Sequence, residues 1–199
     1  MRRDTDVFIL DDTNEDFILD RVEGLLVKGG ICIIPTDTIY GIVTPDNFPS
    51  SVREIYKIKE RPFDKPVIRL IGCFDNIKSY TNQNLPPVLK KYWPGPLTII
   101  FKGIHEDKVS IRFPLYPFLN KIFHKLNYKV IVAPSANISG DENIYENNEL
   151  VETFHGKVDM IVCLKDGLKD NRASTIIDIS EPGWRIVRQG SLKVDVDRL

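Results

Sequence analysis

The chain has 199 residues, 42% of them hydrophobic and 28% charged, and a formal net charge of −1 at neutral pH. One globular domain of this size buries its own core, so a collagen, a low-complexity chain and a disulfide-stapled scaffold are excluded. Overall charge also excludes a general polyanion binder, but the charges are segregated: residues 1–50 carry 4 basic and 10 acidic side chains, residues 51–129 carry 15 and 6, and residues 130–199 carry 8 and 12. The basic middle third suits a polyphosphate or nucleic-acid contact, the alternative being a solvated lysine surface.

In chain order, residues 13–28 are expected to form a helix. Thr13 is placed to cap it and Asp16 falls in its first turn. Ile18, Val22, Leu25 and Leu26 recur at helical spacing before Gly29-Gly30. Residues 31–34 form an all-apolar strand of the kind buried on both faces, stopped by Pro35, and residues 35–49 read as a loop. A second helix covers 50–59 and a strand 67–71. Short helical pieces at 75–80 and 86–92 lead to the turn Trp93-Pro94-Gly95-Pro96. Strands at 97–101 and 109–113 are close enough for antiparallel pairing. A helix at 117–126 with Phe118, Ile122 and Phe123 inward follows, then strands at 130–133, 160–164, 174–179 and 184–187. Helices alternating with strands and a strand-rich end predict an α/β (α+β) domain around one twisted mixed parallel/antiparallel sheet. No repeat or linker divides residues 1–199, whose core runs from about 15 to 190.

The three cysteines, Cys32, Cys73 and Cys163, show no C-x-x-C spacing and read as inert thiols in a reducing compartment. The start of the chain is acidic, not a signal core, and no apolar run approaches a membrane span. A cytoplasmic protein with no membrane contact is expected. His105, His124 and His155 share no motif and read as surface or half-buried residues.

P-loop, Rossmann, H-E-x-x-H and G-x-S-x-G signatures are absent. Polar clusters instead follow the strands, where loops of α/β folds hold ligands. They are Pro-Thr-Asp-Thr-Ile-Tyr-Gly at 35–41, a basic run containing Lys59, Arg61 and Lys65, Pro-Ser-Ala-Asn-Ile-Ser-Gly at 134–140, Ser-Thr-Ile-Ile-Asp at 174–178 and Arg-Gln-Gly at 188–190. Each alone reads as a turn or a basic helix end. Arg offers a bidentate fork to phosphate and Lys a mobile point charge.

These motifs, with Trp-Pro-Gly-Pro-Leu-Thr and Ile-Arg-Phe-Pro between them, occur in one order over about residues 15–190. In this the chain resembles the YrdC/Sua5 family of threonylcarbamoyl-AMP synthases, in the short YrdC-type form without the extra Sua5 domain. The resemblance implies a mixed sheet with an open, positively charged concave face. It implies an enzyme, a nucleotidyltransferase joining L-threonine, bicarbonate and ATP into L-threonylcarbamoyladenylate and pyrophosphate. Partner proteins would pass the threonylcarbamoyl group to adenosine 37 of tRNA. By the same resemblance, Lys59, Arg61, Ser135 and Asn137 are the catalytic set. Arg61, Lys65, Asn137 and Arg188 bind ATP, and Thr38, Arg112 and Ser174 bind threonine. The protein itself holds no metal, and Mg2+ rides on the ATP phosphates. A family histidine beyond the Lys-Pro step is absent here, where the chain reads Val67-Ile68-Arg69-Leu70. Lys59 and Arg61, at a polar helix end, are expected to be replaceable without loss of the fold.

Two other readings remain open. One is a non-enzymatic RNA-binding module on the same basic face, with weak RNA binding possible in either case. Against it, Tyr56, Phe63, Trp93 and Phe101 are scattered and no strand alternates them with arginine. The other is a catalytically altered paralogue of the YciO type.

Overall fold

The computed structural model describes residues 3–168 and 172–195. Among these, the elements run β1 (Asp6–Leu10), α1 (Glu15–Leu26), β2 (Cys32–Ile34), β3 (Gly41–Pro45), α2 (Pro49–Ile58), β4 (Ile68–Leu70), a 3-10 helix (Phe74–Ser79) and α3 (Pro87–Lys90). Then come β5 (Leu97–Lys102), β6 (Lys108–Arg112), α4 (Pro117–Lys125), β7 (Ile131–Val132), α5 (Asn147–Phe154), β8 (Met160–Leu164), β9 (Thr175–Asp178) and β10 (Arg185–Arg188). All ten strands join one mixed sheet in the order β1-β8-β2-β3-β7-β4-β6-β5-β9-β10. Pairing is parallel for β1/β8, β8/β2, β4/β6 and β5/β9 and antiparallel elsewhere. No described helix is long and apolar enough to cross a membrane.

The strand β2 lies in the half of the sheet covered on both faces, which is why it is apolar throughout. Cys32 and Ile34 pack with Ile18, Val22, Phe118 and Ile122 of α1 and α4. Ile33 points the other way, into Ile55 of α2 and Leu150 and Phe154 of α5. Burial raises the thiols of Cys32 and of Cys163, the latter to about 11, and all three cysteines are free. The three histidines are exposed.

In the other half, Ile99, Ile111 and Ile177 pack on one side with Ile77, Leu89 and Trp93. Partners across a ladder point to the same side of a sheet. Register places Arg112, Thr98, Ile176 and Arg188 in one row across β6, β5, β9 and β10, on the side opposite that core. A parallel row holds Ser110, Ile100, Asp178 and Arg185. This polar face is where the functional groups gather.

Three elements escaped the sequence reading: β1, β3 and α5. The edge strand β1 exposes Val7 and Ile9, so it lacks a clean alternation. The buried strand β3 begins at Gly41 and ends at Pro45, residues that read as turn punctuation. Thr13 does not cap α1; its N–H and hydroxyl bind Asp11 (2.8 and 2.6 Å), and Asn14 holds the N-cap position without a side-chain cap bond.

Candidate active site

The β2–β3 connection turns back on Thr36, whose hydroxyl donates to Ile39 O (2.7 Å) and accepts from Thr38 N (3.2 Å). That turn aims Thr38 at the end of β6. There Arg112 Nη1 donates to Thr38 Oγ1 (2.9 Å) and Nη2 to Thr36 Oγ1 (3.3 Å). Nη2 also lies 3.0 Å from Asp37 Oδ1, an ion-pair contact at an angle that makes no hydrogen bond. Both side chains are nearly buried, 6% and 7% exposed. Arg112 Nε is buried without a hydrogen-bond partner. Burial pulls the Arg112 guanidinium below its usual value and Asp37 pulls it back.

From the other side, Arg188 of β10 donates through Nε to Ser174 O (3.0 Å) and through Nη2 to Ser174 Oγ (3.2 Å). Ser174 is further tied to Thr98 Oγ1 (2.8 Å). Gly190 makes this approach possible: a Cβ there would sit 2.1 Å from Ala173 O and 2.4 Å from Ser174 C. Burial and the charge of Arg112 both lower the Arg188 guanidinium. Two guanidiniums are thus answered by the single carboxylate of Asp37, a surplus of positive charge that suits an anion.

Thr38, Arg112, Ser135, Ser174 and Arg188 thus line one small recess of about 40 Å³, closed on its apolar side by Ile39, Ile68, Ala133 and Ala173. A larger cavity of about 710 Å³ lies across the 36–38 turn, but Asp11, Asp12, Asp37 and Asp166 line it against the single cation of Lys165. Those carboxylates repel a phosphate, so the recess is the better candidate.

The residues of the second group meet at the end of α2. Lys59 Nζ donates to Ser135 O (2.6 Å), Asn137 O (2.5 Å) and Asn137 Oδ1 (3.1 Å). Those bonds use all three ammonium donors. Ser135 Oγ donates to the same Asn137 Oδ1 (2.6 Å), and Asn137 Nδ2 donates to Asp141 O (2.7 Å). Lys59 is 2% exposed. Burial, aided by Arg61, lowers it to about 8. The expectation that Lys59 occupies a polar helix end is therefore corrected: it is a buried clamp on the 135–137 loop, and its removal strikes at the fold. Sequence shows the charge of Lys59 but not the distant carbonyls that satisfy it.

Arg61 folds back on its own loop, donating to Lys65 O (3.0 Å) and Pro66 O (2.8 Å). The Lys65 side chain is exposed and does not line the recess. In the 67–70 stretch, Ile68 faces the recess, whereas Arg69 pairs with Asp46 (3.1 Å) and Glu106 (2.9 Å) away from it. An apolar wall thus stands where the resemblance leads one to look for a histidine. Thr98 was not singled out from sequence, and Thr36 and Asp37 entered only as members of the 35–41 cluster. Their signal was present only in the hydroxyl- and carboxylate-rich 35–41 motif and in Leu-Thr at 97–98.

Strand-end loops of an α/β sheet that bring buried hydroxyls and two arginines together have the make-up suited to a small polar ligand. The sequence pattern of the family described as Sua5/yciO/yrdC, telomere recombination, matches residues 24–190, and the chain belongs to that family. A Pyrococcus abyssi protein named threonylcarbamoyl-AMP synthase is 28% identical over 195 residues, covering 91% of this chain and 56% of the relative. The chain thus spans little more than half of that relative's length. A Methanocaldococcus jannaschii protein named putative threonylcarbamoyl-AMP synthase is 29% identical, covering 94% of this chain and 93% of the relative. The solved structure of P. abyssi Sua5 complexed with L-threonine superposes with a TM-score of 0.82 at 26% identity, covering 94% of this chain and 58% of that one.

Proposed function

We propose that this chain is an L-threonylcarbamoyladenylate synthase, joining L-threonine, bicarbonate and ATP and releasing pyrophosphate, for the modification of adenosine 37 in tRNA. The observation that carries the reading is the recess itself. Its two guanidiniums exceed the one carboxylate that answers them, a surplus of positive charge that suits the carboxylate of a small ligand. The names of the two relatives and the threonine complex of P. abyssi Sua5 support the same reading.

In this mechanism Arg112 takes the threonine carboxylate, while Thr38 and Ser174 offer hydroxyls to its polar groups. Ile68, Ala133 and Ala173 receive the methyl group. The amine adds to the carbon of bicarbonate with loss of water, giving a carbamate. A carbamate oxygen then attacks the α-phosphorus of ATP, and pyrophosphate leaves. No covalent enzyme intermediate is required, so the protein contributes proximity and neutralisation of charge. Arg188 stands between the amino acid and the phosphates. Arg61 and Lys65 face the phosphates from the loop after α2, and Lys59 holds Ser135 and Asn137 in place. No described group of three or more His, Cys, Asp or Glu side chains forms a metal cage. Mg2+ would arrive with the ATP phosphates and supply further charge neutralisation. Partner proteins would then transfer the threonylcarbamoyl group.

Calorimetry of ATP and threonine, alone and together, tests the reading, with an RNA duplex as competitor. Threonine should bind more tightly in the presence of ATP, and the RNA should compete weakly. Tight RNA binding with no heat from either small ligand would overturn it.

A further inference from the structure

The loop after α2 carries an exposed aromatic side chain. Phe63 is 65% exposed, the most exposed large apolar side chain among the described residues. It is nevertheless held in place. Its ring stacks on Tyr56, with 5.0 Å between centroids and 26° between planes. The Tyr56 hydroxyl donates to Lys65 O (3.2 Å), closing the loop from the α2 side. Arg61 closes it from within, through the bonds to Lys65 O and Pro66 O. Left-handed backbone at Glu60 (φ 52°) turns the chain out of the helix into this loop. One face of the Phe63 ring is therefore covered by Tyr56, and the exposure falls on the rest of the ring.

Loop closure does not require a phenyl group in water, because turn-forming polar residues serve that purpose. An aromatic face beside Arg61 and Lys65, four residues from the Lys59 clamp, matches the combination that binds a nucleobase with its phosphates. The two rings were scattered in the sequence reading; the structure corrects that by stacking them, while Trp93 and Phe101 meet in the core instead.

We propose that Phe63 is the stacking platform for the purine base of the nucleoside triphosphate, with Tyr56 as the backing ring that fixes its angle. The proposal rests on the ATP site inferred above and extends it to the base. Because every purine offers a π face, the platform holds a base without selecting adenine over guanine.

The test is equilibrium binding of ATP and of inorganic tripolyphosphate to the full chain and to Phe63→Ala, Phe63→Leu and Phe63→Trp. Phe63→Ala should weaken ATP roughly tenfold and leave tripolyphosphate unchanged. Tryptophan should restore ATP binding and leucine should not. Unchanged ATP binding in Phe63→Ala would overturn the platform, as would equal loss of ATP and tripolyphosphate or rescue by leucine. If the unaltered chain binds no ATP, the proposed function falls and the platform with it; if only the variants behave alike, the platform alone falls.

Discussion

Lys59 and Asn137 are joined twice, through the Asn137 main-chain oxygen (2.5 Å) and through its side-chain Oδ1 (3.1 Å). The pair ties the C-terminal end of α2 to the loop after β7, seventy-eight positions away. Ser139 N completes the link by donating to Lys59 O (2.8 Å). The ammonium is thus a fixed part of the wall, with its three donors spent on the 135–137 loop.

Replacing Lys59 with methionine keeps the length of the side chain and removes its donors. Asn137 O then loses its donor, at a cost of about 1–3 kcal/mol, whereas Asn137 Oδ1 keeps the Ser135 hydroxyl (2.6 Å) and Ser135 O keeps Asn137 N (3.1 Å). Lys59→Met should lower the unfolding free energy by about 1–3 kcal/mol, read from the denaturant midpoint. Arginine should recover part of it. A midpoint unchanged in Lys59→Met would remove the clamp.

The pH dependence of stability follows from the same burial. Lys59 is lowered to about 8 in the folded chain, against 10.5 for an ordinary lysine. Between those values the unfolded chain binds more protons, so this group's contribution to stability rises with pH across the window. Denaturant melts at pH 7.5, 9 and 10 should show that rise in the unaltered chain. It should be missing in Lys59→Met.

Arg112→Lys retains a charge at the recess but loses the fork that reaches Thr38, Thr36 and Asp37 together. The KM for threonine should rise about tenfold or more, the scale of about 1.5–3 kcal/mol for a charge-assisted hydrogen bond. The KM for ATP should move much less. A larger rise for ATP would assign Arg112 to the phosphates.

Asp178 anchors the row behind the recess. Its Oδ2 accepts from Lys108 and Arg185 (3.0 Å each), and its Oδ1 from the Ser180 N–H and hydroxyl. Burial pushes its carboxyl up, but the bonds from Ser180, Lys108 and Arg185 win and hold it at about 2. A depressed carboxylate contributes stability above its unfolded value, lost as pH falls through the folded one. Asp178→Asn should therefore cost about 2 kcal/mol at pH 7. The gap should close between about pH 4 and pH 2.

The alternating layers of the sheet were legible where burial is complete. Residues 31–34 are apolar because α1 and α4 cover one face of β2 while α2 and α5 cover the other. The hairpin partner β3 was hidden by the glycine and proline at its ends. Five ordered motifs pointed to Thr38, Ser135, Ser174, Arg112 and Arg188, which the fold brings to one recess. What those motifs could not reveal is the pairing across the chain. Lys59 looked like a solvated helix end because its partners lie in another loop. Asp37 looked like a turn residue because its counter-charge, Arg112, lies on β6. Local pattern reports which residue types are present; only tertiary closure determines which charges are answered.

Pyrophosphate release from ATP by the purified chain, with threonine and bicarbonate omitted in turn, tests the synthase activity itself. Release that requires both, with an adenylate carrying the carbon of labelled bicarbonate, is the predicted result. Release indifferent to threonine, or no release while ATP and threonine both bind, would contradict it.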